Sequence, residues 1–324
     1  MIHTEQETTF NYEHDTMFSH WNNSVKISSL FTQWQLLPDY DSLFRVMRMR
    51  QDWVENSLIA EGDNLLQQLL EQWPINDRRA RIWASFHIGP YVLLSRALIQ
   101  QGMGVAILLK DEVYEEQHEV YINSFRQYFG HDPSPNELRF IRTDNSNSLI
   151  KLKQALQEGL HVICFIDGKE GGYSANSKVD VQVYNSTFQA RLGIAILSRW
   201  AKTPVRPIIL TLQEEKLKVY SPTDYWVDSP EAGKALLQNC YNLLQKLDIS
   251  ELVQWDGLLG LIQEKVEQNQ LKEEPEEEWM IDRAFWIPIF VQGKHLVVDL
   301  HTGKGKSIPA DLHRRLYEMF QDKI

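Results

Sequence analysis

Strand-like and helix-like segments alternate between residues 81 and 212, and this alternation constrains the fold more than any other feature of the sequence. Short apolar runs such as Val105–Leu109 and Val162–Ile166 have the length and composition of buried strands. The pattern predicts an α/β fold with a mainly parallel central sheet flanked by helices. Predicted strands cover residues 81–86, 105–109, 138–141, 162–166 and 205–212, and predicted helices cover 91–101, 112–128, 146–158 and 186–202.

The segments before and after this alternation predict additional units. Apolar residues at helical spacing in 34–73 predict a helical N-terminal layer, whereas five glutamates in 273–278 predict an exposed linker, because like charges repel. The other predicted elements are a hairpin strand at 216–220, helices at 229–246 and 250–268, strands at 284–290 and 295–300, and a helix from Ala310. The predicted domains are a flexible arm at 1–22, an α/β domain at 23–270, an acidic linker at 271–282 and a small α+β unit at 283–324.

Charge and composition narrow the classes of partner and location. The formal net charge of −11 disfavours binding to nucleic acid, since phosphate backbones are bound by basic surfaces. The polar N-terminus and the lack of a long apolar run predict a cytoplasmic protein, soluble or at most peripherally associated with a membrane. Of the two cysteines, Cys164 lies in a predicted buried strand and is interpreted as a core residue. The histidines have no metal-ligand spacing, so no metal site is predicted.

Two polar residues follow predicted strands and are the first candidates for a functional site. His87 comes after the strand at 81–86, and Asp167 comes after the strand at 162–166. Because functional residues of parallel sheets gather where the strands end, both are expected at one edge of the sheet. An imidazole at such a turn is suited to general-base catalysis, since it titrates near neutral pH, and Gly89 leaves room for a substrate beside the backbone.

Five segments carry a resemblance to a known family. They are Ser85–Val92, Gly104–Lys110, Asn147–Gly168, Val183–Pro207 and Leu252–Trp255. In order and spacing they resemble the lipid A late-acyltransferase family, a branch of the lysophospholipid acyltransferase-like superfamily. The resemblance covers residues 59–263, roughly two thirds of the chain. It departs from the family at Val92, where the family has a carboxylate five positions after the histidine, and at Gly168, where glutamine is usual.

The resemblance implies transfer of an acyl group from a carrier thioester, on acyl carrier protein or coenzyme A, to a hydroxyl or amine of a small-molecule or lipid acceptor. No bound cofactor is implied. His87 is the implied base, and Asp167, Glu170 or Asp111 is expected to replace the carboxylate missing at Val92; a backbone carbonyl is a further candidate. The remaining implied substrate contacts are Gly89, Lys110, Glu170 and Arg191, with Arg191 expected on the predicted helix at 186–202.

Three functions stay open at this point. The first is an acyltransferase, which requires an apolar groove running from His87 past Val92 and Leu93. The second is a noncatalytic relative that binds acyl groups or a partner, since Val92 cannot orient an imidazole. The third is the same fold recruited for a different transfer reaction, for example in specialised-metabolite biosynthesis.

Overall fold

The computed structural model describes residues 16–37, 40–56, 62–75, 77–143, 147–168, 178–258, 286–291, 294–299 and 305–321. These residues fall into two compact units. One unit contains the chain up to Val54 together with the chain from Leu258 onward, and the other runs from Glu55 to Gly257. The first unit begins with helices α1 (Thr16–Gln33) and α2 (Tyr40–Asn56).

The second unit contains the predicted alternation of strands and helices. Its elements are α3 (Asp63–Gln72), β1 (Ile82–Ser85), α4 (Leu93–Gln100), β2 (Val105–Leu109), α5 (Asp111–Phe129), β3 (Leu138–Arg142), α6 (Ser148–Gln157), β4 (His161–Phe165), β5 (Lys178–Val183), β6 (Ser186–Arg191), α7 (Gly193–Ala201), β7 (Val205–Pro207), β8 (Ile209–Gln213), β9 (Lys216–Tyr220), α8 (Pro230–Asn242) and α9 (Ile249–Leu252).

The core of this unit is a five-stranded parallel sheet with strand order β3-β2-β4-β1-β7. The predicted α/β fold with a mainly parallel sheet flanked by helices is therefore confirmed. β1 and β4 are neighbours at the centre, with Ser85 opposite Phe165 in the register. β1 is buried along its whole length, as expected for a strand covered on both faces. Cys164 is buried as predicted, and burial raises the pKa of its thiol to about 12.

The predicted helix at 186–202 is wrong in its first part. Residues Ser186–Arg191 form β6, which pairs antiparallel with β5 across a turn in which Tyr184 has a φ of 53°. Burial alternates along β6, with Phe188 and Ala190 inside and Thr187 and Gln189 outside, which is the period of a strand. Only Gly193–Ala201 is helical.

Two further predicted elements are interrupted in the structure. The strand predicted at 205–212 is divided, since β7 belongs to the parallel sheet whereas β8 pairs with β9 in a separate hairpin. The helix predicted at 250–268 is interrupted, since α9 ends at Leu252 and residues 253–257 are not helical, whereas residues 259–268 lie outside the described residues. A capping box at Asp248 fixes the start of α9, and an antiparallel bridge from Trp255 to Ile88 draws the next residues away from a helical path.

The first unit is completed by β10 (Trp286–Val291), β11 (Lys294–Asp299), β12 (Gly305–Ser307) and α10 (Ala310–Gln321). The strands form an antiparallel sheet in the order β10-β11-β12, which agrees with the two strands and the helix predicted there. The indole of Trp21 donates a hydrogen bond to the Pro288 carbonyl at 2.9 Å. The shared core consists of Trp21, Val25, Phe44, Met47, Ile287, Ile289, Leu296, Tyr317 and Phe320.

This core corrects the interpretation of the N-terminus. The flexible arm was predicted to extend to residue 22, but α1 begins at Thr16 and Trp21 is buried. Trp21 and Val25 are one helical turn apart, so a short apolar stripe is present within a largely polar segment. Residues 1–15 and the acidic segment 273–278 lie outside the described residues. The structure groups residues 23–54 with the C-terminal strands, whereas the sequence-based division assigned them to the α/β domain.

Within the described ranges, no helix has the length and apolar character needed to cross a membrane.

Candidate functional site

The ends of β1 and β4 bring His87 and Asp167 into contact. The backbone N–H of Ile166 donates to the carbonyl of Ser85 at 2.9 Å, which continues the strand register one step beyond both strands. One residue further on, His87 Nδ1 lies 2.8 Å from Asp167 Oδ1. The backbone N–H of His87 also donates to Asp167 Oδ2 at 3.0 Å. Asp167, the first candidate to replace the carboxylate missing at Val92, thus contacts His87, and its role in catalysis stays a prediction.

This contact fixes the orientation and tautomer of the imidazole. A carboxylate accepts hydrogen bonds, so Nδ1 of His87 carries the proton that points at Asp167. The lone pair of the neutral ring is then on Nε2. The side chain of His87 is 35% exposed, whereas that of Asp167 is 0% exposed. A buried carboxylate therefore holds a partly exposed base, which is the pairing of orienting group and base that general-base catalysis requires.

Trp255 is the third member of the site, and it was not among the predicted site residues. Its indole Nε1–H donates to Asp167 Oδ2 at 2.6 Å, and its side chain is buried. Together His87, Asp167 and Trp255 are called the His87 site below. The resemblance included Trp255 in its last segment, but the sequence holds no signal that this indole would bind Asp167, because the two are separated by 88 residues.

The segment from Gln254 to Gly257 is held against the turn after β1 by its backbone. The N–H of Asp256 donates to the His87 carbonyl at 2.8 Å, and the N–H of Gly89 donates to the Gln254 carbonyl at 3.2 Å. A side chain at Gly257 would collide with the site, since an added Cβ would lie 2.2 Å from Asp167 Oδ2. Glycine at this position therefore allows the carboxylate and the indole to meet.

Gly89 has a structural reason to be glycine. Its φ is +59°, and an added Cβ would lie 2.2 Å from the backbone oxygen of Leu210 in β8. The left-handed conformation and the close approach of β8 both exclude a side chain. The predicted contact of Gly89 with a substrate stays a prediction.

Two aromatic rings contact the imidazole of His87. The ring of Phe165 stacks on His87 with centroids 4.4 Å apart, and the ring of Tyr91 meets it edge-on at 5.2 Å. Burial among these groups lowers the pKa of His87, but the hydrogen bond and charge of Asp167, with a smaller contribution from the charge of Asp256, outweigh it. The net result is a His87 pKa above its ordinary value of 6.5.

A pocket of about 280 Å³ lies on one side of Tyr91. The ring of Tyr91 contacts His87 and also lines this pocket, whereas His87 and Phe165 do not line it. Val92, the N-cap of α4, and the helical residues Ser95 and Ile99 line this side of the pocket at helical spacing. The remaining lining residues are Leu66, Arg96, Gln100, Val120, Tyr121, Ser124, Phe125, Tyr128, Phe129 and Leu138.

The groove predicted to run from His87 past Val92 and Leu93 is only partly present, because Val92 lines the pocket but His87 and Leu93 do not. Leu93 is completely buried and is not among the lining residues, because it points to the core side of α4. The pocket is mostly apolar and aromatic, with the hydroxyl groups of tyrosine and serine among its walls. Its volume is slightly below the usual range for ligand pockets, about 300 to 1,000 Å³.

The other predicted site residues do not contact His87 in the described part of the chain. Lys110 follows β2, the neighbour of β4, and therefore lies at the same edge of the sheet as Asp167. Asp111 forms an ion pair with Arg142, Nε to Oδ1 at 3.6 Å, and Asp167 rather than Asp111 contacts His87. Arg191 ends β6 and is not on the helix where it was expected. Glu170 lies outside the described residues.

Within the described part of the chain, no three His, Cys, Asp or Glu side chains are grouped so that they could hold a metal ion. The arrangement at the His87 site is one of hydrogen bonds between a base, a carboxylate and an indole. No family model matches this sequence, and no curated protein matches it either.

Proposed function

We propose that this protein is an acyltransferase that moves an acyl group from a carrier thioester to a hydroxyl or amine, with His87 as general base and Asp167 as the group that orients it. The observation that carries the proposal is the contact of His87 Nδ1 with the buried Asp167 carboxylate at 2.8 Å, beside an apolar pocket. The resemblance to the lipid A late acyltransferases supports the same chemistry.

The proposed reaction begins with the acceptor bound near His87 Nε2. Nε2 takes the proton of the acceptor hydroxyl or amine as its oxygen or nitrogen bonds to the thioester carbonyl carbon. The tetrahedral intermediate then collapses, the carbon–sulfur bond breaks, and the thiolate receives the proton from His87. Asp167 holds the ring and stabilises its charged form during both transfers. The products are the acylated acceptor and the free carrier thiol.

The pocket supports an acyl group as the transferred unit. It starts at Tyr91, whose ring touches His87, and continues along Val92 and Ile99 toward α5. Each methylene that enters such a pocket from water contributes about 0.8 kcal/mol. A thioester carbonyl at His87 would then place the acyl chain along α4, with the carrier thiol directed toward solvent.

The proposed donor is an acyl-coenzyme A or an acyl carrier protein thioester, with no bound cofactor. The proposed acceptor is a small molecule or a lipid, and the proposed location is cytoplasmic. Lys110 lies at the same sheet edge as the His87 site and is the proposed contact for an anionic group of the donor.

The test is intact-mass analysis and product detection after incubation of the purified protein with acyl-coenzyme A and acyl carrier protein thioesters and a panel of alcohols and amines. His87→Ala should lower the transfer rate at least about a hundredfold, since general-base catalysis contributes about two to four decades. Asp167→Asn should cost up to about four decades, because the amide cannot stabilise the charged ring.

The control is His118→Gln, since His118 stacks on Tyr114 in α5 and has no contact with Asp167. Thermal unfolding of each variant checks that the fold is kept. A transfer rate unaffected by His87→Ala in a folded protein would refute the proposal. Binding of acyl thioesters without any transfer would instead support the noncatalytic alternative.

A further inference from the structure

A basic and aromatic surface covers the outer faces of α6 and α7. Ile150, Ile196 and Trp200 are large apolar side chains that are 45%, 47% and 45% exposed. On the same two helices, Lys151 and Arg199 are exposed and Lys153 is partly exposed. We call Ile150, Lys151, Lys153, Ile196, Arg199 and Trp200 the basic-aromatic patch.

The patch is continuous across the two helices. Nζ of Lys153 lies 4.3 Å from the centroid of the Trp200 ring, which joins α6 to α7. Ile150 is three residues before Lys153, and Ile196 is four residues before Trp200, so each isoleucine shares a helix face with the residue that makes this contact. The exposed apolar groups therefore form one surface and are not scattered.

The charge of the patch is opposite to that of the whole protein. α6 and α7 contain no acidic residue, although the chain carries a formal net charge of −11. Neither Lys151 nor Arg199 forms an ion pair with any residue in the part of the chain that the structure describes. The nearest acid in sequence, Glu158, is paired with Arg139. The cations of the patch are therefore not neutralised by carboxylates on their own helices.

We propose that the basic-aromatic patch docks on an anionic lipid surface. Tryptophan prefers the interface between headgroups and acyl chains, and exposed isoleucines insert beside it. Lysine and arginine around such residues are attracted to anionic headgroups, each by roughly a fivefold gain in binding. A purely acidic protein partner would explain the cations but not three protruding apolar side chains.

Docking in this way would place the layer formed by α6 and α7 against the lipid. α6 follows β3 and leads back to β4, so its first turn, with Ile150, lies toward the edge of the sheet at which the strands end, which is the edge of the His87 site. Arg199 and Trp200 are in the last turn of α7, which leads into the start of β7, so they lie toward the opposite edge. The patch therefore runs along the side of the sheet, and docking does not depend on acyl transfer.

The experiment is co-sedimentation of the full chain with vesicles of phosphatidylcholine alone or with about one third phosphatidylglycerol. The wild type should bind the anionic vesicles, bind the neutral ones much less, and be released from the anionic vesicles as salt increases. Lys151→Glu with Arg199→Glu should weaken binding at least about twentyfold, taking fivefold for each lost cation. Trp200→Ala should weaken binding to anionic vesicles with no change in net charge.

The matched control is Lys216→Glu with Lys218→Glu, which changes the net charge equally but lies on the β8–β9 hairpin. It should bind nearly as well as the wild type. No binding of the wild type to anionic vesicles would overturn the proposal, and so would equal losses in the two charge-reversal variants. Circular dichroism of every variant checks the fold, which exposed substitutions should leave intact.

Discussion

The indole nitrogen of Trp255 lies 2.6 Å from Asp167 Oδ2, on the carboxylate whose other oxygen lies 2.8 Å from His87 Nδ1. The indole of Trp255 is thus linked to the imidazole of His87 through Asp167. The indole and the backbone N–H of His87 both donate to Oδ2, which restricts rotation of the carboxylate.

Trp255→Phe removes the donor and keeps most of the ring volume. We expect the rate of acyl transfer to fall about tenfold and the free energy of unfolding to fall by about 1.5 to 3 kcal/mol, the range for a hydrogen bond to a charged group. Steady-state kinetics and urea denaturation measure the two effects. Trp226→Phe is the control, since Trp226 is exposed and should change neither quantity. Unchanged kinetics in Trp255→Phe would contradict a positioning role for the indole.

The raised pKa of His87 predicts how activity depends on pH. The base must be neutral to accept a proton, so the transfer rate should rise with pH through a value above 6.5 and then level off. Asp256→Asn should move this midpoint to lower pH, because the charge of Asp256 contributes to the shift. A midpoint that stays in place in this variant would show that Asp256 is too well screened to matter. NMR titration of the His87 ring, identified by its loss in His87→Gln, checks the same pKa without a substrate.

The raised pKa of His87 also makes the stability of the fold depend on pH. The folded protein holds the proton of His87 more tightly than the unfolded chain does, because the pKa is higher in the folded state. The stabilising contribution is therefore complete below the unfolded value of about 6.5 and is lost as pH rises through the folded value. Thermal unfolding at several pH values should show this loss in the wild type and not in His87→Gln. Identical profiles for the two proteins would exclude the linkage.

Gly257→Ala should damage the His87 site directly. The added Cβ would lie 2.2 Å from Asp167 Oδ2 and 2.6 Å from Trp255 Nε1, so one of these groups must move. We expect a loss of about 1 to 3 kcal/mol in the free energy of unfolding and a larger proportional loss in transfer rate. Gly193→Ala is the matched control, since no atom lies within 4 Å of its added Cβ and alanine favours a helix. A Gly257→Ala protein as stable and active as the wild type would contradict the described packing.

Val92→Phe should shorten the acyl chain that the pocket accepts. Val92 lines the pocket at its His87 end, next to Tyr91. Displacing even two methylenes costs about 1.6 kcal/mol, so transfer from a long-chain donor should fall on the order of tenfold or more. Transfer from an acetyl donor serves as the internal control and should change little. Equal losses for both donors would show that the acyl chain does not bind in this pocket.

The central sheet and the contact of His87 with Asp167 could be predicted from sequence for one physical reason. Parallel strands that are buried on both faces are continuous apolar runs, and residues after such strands must meet at one edge. β1, β2 and β4 satisfy this rule. Since β1 and β4 are neighbours in the sheet, His87 and Asp167, which follow them, come into contact.

The elements that sequence reasoning missed depend on tertiary contacts. The sequence of β6 alternates only weakly between apolar and polar residues, and its pairing with β5 makes it a strand. The segment after α9 is pulled out of a helical path by the bridge of Trp255 to Ile88. The face of α4 that lines the pocket, with Val92 and not Leu93, is set by which side of the helix packs on the core.

The separation of the site residues along the chain affects when activity can arise. The hydrogen bonds to Asp167 span 80 residues to His87 and 88 residues to Trp255. On the ribosome, β1 to β4 would all be synthesised before Trp255 leaves the exit tunnel. A nascent chain could therefore assemble these four strands while Asp167 still lacks the hydrogen bond from the Trp255 indole. Contacts of such long range form slowly. In refolding experiments, recovery of transfer activity should therefore lag behind recovery of the far-ultraviolet circular dichroism signal, and simultaneous recovery would show that Trp255 docks together with the sheet.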